Sequence, residues 1–117
     1  MKSLGLVPGE PVVLYLHNPR EKLWGVLLQL EPAGVVLRGL DLAVFDDWVR
    51  QQIHGEDGIG PATLFYPMGR VERMERDETS GPIESLADRF ERQVGRGVLE
   101  VMGLLPTGEA DLKDEAD

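Results

Sequence analysis

Apolar residues alternate on both parities along the first extended run of the chain. Val12, Leu14 and Leu16 point one way, and Val13, Tyr15 and His17 the other. That pattern predicts a strand covered on both faces. Pro8-Gly9-Glu10-Pro11 is the turn before it, and Asn18-Pro19-Arg20-Glu21 the turn after it. Lys22–Glu31 reads as a second strand, with Trp24, Val26, Leu28 and Leu30 on one face. Gly25 sits inside it, where glycine marks a bend or a close backbone approach. Pro32-Ala33-Gly34 is a tight turn into a third strand over 34–40, so strands two and three form an antiparallel pair.

The period then changes. Leu42, Phe45, Trp48, Val49 and Ile53 follow helical spacing and predict a helix over about 42–53, capped by Asp41 and stopped by Gly55. The Gly-rich stretch 55–61 reads as the least ordered internal loop. Ala62–Met68 is a fourth strand ended by Pro67, and Arg70–Arg76 a fifth after a tight turn at Met68-Gly69. Ile83, Leu86, Ala87, Phe90 and Val94 share one face of a second helix over about 82–94, with Pro82 in its first turn. A short helical turn follows Gly97. Five short strands with a bend glycine and a tight last turn predict a mainly β domain, a bent five-stranded antiparallel barrel, over residues 1–105. Residues 106–117 read as a disordered acidic tail.

Charge alters the picture of partners. The 117 residues carry a net charge of −9. Glu109–Asp117 holds five acids and one Lys, and the rest of the chain is still acidic. Such a surface repels phosphate backbones unless basic residues segregate on one face. There is no cysteine, which excludes disulfides, thiolate metal sites and cysteine nucleophiles. The N-terminus lacks the features of a signal peptide, and no apolar run approaches a membrane span, so a cytoplasmic protein is expected.

No catalytic constellation emerges. His17 and His54 are the only histidines and have no ligand spacing, so no metal or other cofactor is expected. Asp46-Asp47 falls opposite the apolar face of its helix, and Asp77-Glu78 precedes a helix start, where carboxylates are favoured. Neither pair has a nucleophile or a placed histidine. Gly55–Gly60 lacks the Lys-Ser or Lys-Thr of a phosphate loop. Arg70, Arg73 and Arg76 interleave with Glu72 and Glu75, which favours a cross-strand ion-pair ladder. The functional alternative is a basic lip completed by Arg38. Trp24, Phe45, Phe65, Tyr66 and Phe90 read as core. Trp48 lies on the inserted helix, whose apolar face would need cover from this domain, from a second copy or from a partner.

Gly9–Asn18, then Leu23-Trp24-Gly25-Val26-Leu27, then Glu31 before a turn and Val35-Val36-Leu37 after it resemble the first motif of the Sm-like family. The resemblance covers about residues 9–40, with a faint echo of the second motif at Met68-Gly69-Arg70-Val71. It implies an SH3-like, Sm-like small barrel, ring assembly and RNA as a ligand. The family grips RNA with an Asn in the turn after the acidic residue and with an Arg-Gly pair. Here that turn is Pro32-Ala33-Gly34-Val35, and the later order is Gly69-Arg70. The expected function is therefore a non-enzymatic, self-associating adaptor or scaffold for protein interaction, with RNA binding as the alternative. The interaction surface is expected at Trp48, Arg38, Arg70, Arg73 and Arg76.

Overall fold

The computed structural model describes residues 5–105. The acidic segment 106–117, expected to be a tail, lies outside the described residues.

Strands β1 (Pro11–Leu16), β2 (Glu21–Glu31), β3 (Gly34–Asp41), β4 (Ala62–Pro67) and β5 (Val71–Arg76) form one antiparallel sheet in the order β4-β3-β2-β1-β5. Helix α1 (Phe45–His54) is inserted between β3 and β4, and α2 (Leu86–Val94) and α3 (Val98–Val101) follow β5.

The alternation in β1 sorts two cores. Val12, Leu14 and Leu16 join Leu23, Leu27, Val35 and Leu37 on the concave face, all buried. On the opposite face Trp24, Val26 and Leu40 meet Phe45, Trp48 and Val49 of α1, Phe90 of α2 and Val98 of α3. The sheet is thus covered on both sides over its centre, as the two-sided apolar strands required.

The sheet is curled, but the expected barrel does not close. Among the described residues β4 pairs only with β3 and β5 only with β1. The two edges are linked by a 3-10 turn, Met68–Arg70, too short to let them part. That turn is held at both ends: Met68 N–H donates to the Ala33 carbonyl (2.9 Å) and His17 N–H to the Arg70 carbonyl (3.0 Å). Sharp curling is possible because Gly25 lies opposite Gly39. A Cβ on Gly25 would stand 2.6 Å from the Arg38 carbonyl oxygen and 2.8 Å from the Gly39 Cα. Gly25 therefore marks a close backbone approach.

Three local expectations are corrected. The register of β2 against β3 steps from Leu27↔Leu37 to Gln29↔Val36, so Leu28 is an extra residue in a bulge. Beyond it the faces exchange, and Leu30 does not continue the Trp24–Val26 face but is 43% exposed. The first helix opens with a separate 3-10 turn, Leu42–Val44, capped by Asp41, whose Oδ1 accepts from Ala43 N–H at 2.8 Å. The second helix starts at Leu86 rather than near 82. Ser80 and Ile83 bond each other's backbone around Gly81-Pro82, with Gly81 at φ +59°, which closes a turn instead of a helix. Ile83 is consequently 71% exposed and off the apolar face assigned to it.

Candidate functional site

The residues expected to form an interaction surface do not come together. Trp48 is fully buried and is no docking residue. Its ring stacks on Phe90 with centroids 4.6 Å apart, and it packs against Trp24 and Phe45. The part of the α1 face formed by Phe45, Trp48 and Val49 is covered by its own domain, because α2 folds back over it, whereas Ile53, expected on the same face, is 47% exposed. Arg89 of α2 pins the contact from outside by pairing with Asp46 at 2.8 Å. Among the described residues the Trp48 indole Nε1 has no hydrogen-bond partner.

The arginines divide among separate acids. Arg70 lies in the 3-10 turn and not in β5, so strand parity does not govern it. It donates to Glu21 (2.7 Å) and to the carbonyls of His17 and Pro19. Arg73 reaches Glu75 at 3.4 Å and lies over the Tyr15 ring, 4.2 Å from its centroid. Arg76 pairs with Glu10 at 2.6 Å and also donates to the Gly5 carbonyl. Arg38 donates to the Thr63 hydroxyl on β4. Arg70, Arg73 and Arg76 each pair with an acid, but not as a cross-strand ladder with Glu72 and Glu75: Arg73 pairs with Glu75 along its own strand, and Arg70 and Arg76 take Glu21 and Glu10 from outside β5. Among the described residues no continuous basic lip joins them to Arg38. The Arg76 guanidinium and the Val7 N–H, both donating to Glu10, hold its carboxyl below the usual range. Burial, reinforced by Glu21, pushes the Tyr66 phenol up.

Lys22, Tyr15 and Arg73 form a cross-strand row over β2, β1 and β5. Arg20 lines the same shallow pocket, as do Glu21 and Glu72, and Arg73 keeps its pair with Glu75. The position of Lys22 in this row followed from the register and not from any sequence pattern.

The edges of the sheet differ in chemistry. β5 reads Val-Glu-Arg-Met-Glu-Arg and is charged along its length. β4 reads Ala-Thr-Leu-Phe-Tyr-Pro and carries no charge. Phe65, expected in the core, is 57% exposed on β4. Its ring leans on Gly34, where a Cβ would meet the Phe65 Cε1 at 2.7 Å. The aromatic thus covers a glycine on the outer face instead of filling a core.

Asp77 holds the layers together. Its carboxylate accepts from Leu86 N–H and Ala87 N–H, each at 2.8 Å, and from the Trp24 indole N–H at 3.0 Å. Ser85 caps the next amide, Asp88 N–H, at 3.0 Å. The placement of Asp77 just before a helix was the readable signal; its bond to Trp24 was not. His17 Nε2 lies 3.0 Å from the Gly69 carbonyl oxygen, and His54 ends α1 in solvent. Among the described residues no group of three or more His, Asp or Glu could hold a metal ion, and no helix is long and apolar enough to cross a membrane.

Comparison with protein-family models, with curated proteins and with solved structures gave no match to this chain.

Proposed function

We propose that this protein is a non-catalytic adaptor that joins copies of itself through the two open edges of its sheet. The observation that carries this reading is the uncharged β4 edge. Exposed edges offer unpaired N–H and C=O groups, and proteins commonly guard them with charges. β4 has none; Pro67 at its end is its one blunting residue. The charged β5 edge is the natural complement, because a β4-to-β5 contact buries the uncharged strand against a polar one. Such a contact is heterologous and propagates to a ring or a filament. The likeness of residues 9–40 to the Sm-like family supports the ring. Sedimentation velocity over a wide concentration range tests it. Assemblies that dissociate in a Phe65→Lys variant are expected, and a strict monomer at high concentration removes the reading.

RNA binding is the second reading, and it draws on the Lys22–Tyr15–Arg73 row with Arg20 beside it. Binding of single-stranded RNA across a salt series decides it. A contact made by these cations weakens steeply with salt and with Arg73→Glu. No binding at low salt ends the reading.

A further inference from the structure

One largely apolar depression of the fold has no role in the assembly just described. It is a groove of about 370 Å³ between the start of β1, the middle of β2, and helices α2 and α3. No residue of β4 or β5 lines it. Val26, Val98 and Leu99 form its floor, and Asp88, Glu91 and Glu100 stand around it. Among the described residues no cationic side chain lines it. Asp88 accepts a hydrogen bond from Thr79, whereas Glu91 and Glu100 have no ion pair among the described residues. Asp46 and Asp47 of α1 and Glu84 just before α2 contrast with this, since each faces an arginine.

We infer that this groove docks a short basic peptide segment, seating an apolar side chain on Val26, Val98 and Leu99 while its flanking Arg or Lys residues meet Glu91 and Glu100. The argument is charge complementarity over an apolar floor. Desolvating a side chain in the groove supplies affinity, and carboxylates on the rim select a cation beside it and repel an acidic competitor. Leu105 lines the groove, and the sequence beyond it runs to the acidic stretch Glu109–Asp117. That stretch has the sign of the rim, so the chain's own continuation is the wrong occupant. The inference does not rest on edge pairing; an adaptor with both features would hold a basic partner on each copy of an assembly.

The test uses the full chain and a fluorescein-labelled decapeptide alternating Arg and Leu, followed by anisotropy. Two control peptides replace every Arg by Glu or every Leu by Ser. The Arg-Leu peptide is expected to bind, and both controls to bind at least tenfold more weakly. A Glu91→Arg/Glu100→Arg variant should lose at least tenfold. A Glu56→Arg/Asp57→Arg variant changes net charge equally in a loop away from the groove and should retain binding. Amide NMR shifts should concentrate at Ala87, Val98 and Leu99. Equal loss in the two charge-reversal variants, or equal binding of the Leu-to-Ser peptide, would mean attraction to an acidic protein at large and would overturn the site. Shifts confined to the β4 or β5 edge would overturn it as well. A monomer that still binds the peptide at the groove would remove edge-mediated assembly and leave this inference intact.

Discussion

Replacing Asp77 by Ala tests the coupling between the sheet and its helical layer. The substitution deletes three hydrogen bonds at once: two that cap α2 at Leu86 and Ala87, and one from the Trp24 indole. Loss of a helix cap costs about 1 kcal/mol. An indole N–H left without an acceptor beside the core adds about 1–3 kcal/mol. Trp24 is fully buried, so its orphaned donor cannot turn to water without moving the aromatic cluster. The sum is about 3 kcal/mol, equivalent to roughly 12 °C in Tm for a domain of this size. Ser85→Ala, which removes a single cap bond, should cost about 1 kcal/mol. Urea unfolding followed by tryptophan fluorescence measures both. A Trp24→Phe background separates the parts, because it abolishes the indole donor beforehand. There Asp77→Ala should cost at least about 1 kcal/mol less, a coupling read directly from the double-mutant cycle. An Asp77→Ala cost no greater than that of Ser85→Ala, or additivity with Trp24→Phe, would refute the reasoning.

Other outcomes follow from single positions. Gly25→Ala forces a Cβ against the backbone of β3 and should destabilise by about 3 kcal/mol, whereas Gly69→Ala, with open space around it, should stay within about 0.5 kcal/mol in the same urea assay. Phe90→Ala should cost about 3–5 kcal/mol and Phe65→Ser under about 1 kcal/mol, since one ring is fully buried and the other mostly in solvent. The Glu10 carboxyl is depressed by Arg76, so the folded state binds its proton less readily than the unfolded chain. Its stabilising contribution is complete at neutral pH and is lost as pH falls below the ordinary carboxylate value of about 4.3 and on through the lower folded value. Glu10→Gln should therefore flatten the fall of stability on acidification, and an unchanged slope in urea titrations from neutral pH to pH 3 (~ the lower end of the folded carboxylate range) would contradict the pairing.

Local chemistry was legible in this sequence wherever one short segment settled the outcome. The first four strands follow from apolar runs bounded by Pro and Gly, and the fifth, charged along its length, from the tight turn at Met68-Gly69 before it. The position of Gly55 as a left-handed stop to α1 follows from the period and a residue without a Cβ. The balance of Arg70, Arg73 and Arg76 by acids was visible as interleaved charge, although the partners came from elsewhere: Glu21 for Arg70 and Glu10 for Arg76.

Tertiary structure decided what depends on elements distant in the chain. A one-residue bulge at Leu28 exchanged the faces of β2, which no alternation could announce, because both sides of that stretch are apolar. Trp48 and Phe65 look alike as aromatics in apolar runs. One is buried because α2 folds back over α1, and the other is exposed because β4 ends the sheet and no described element packs on its outer face at that point. The bent five-stranded sheet was determined by the sequence pattern. Whether it closed was not, because closure depends on backbone pairing between β4 and β5, and side-chain order carries no record of that pairing. The open, uncharged β4 edge, on which the proposed assembly rests, is a product of that last step.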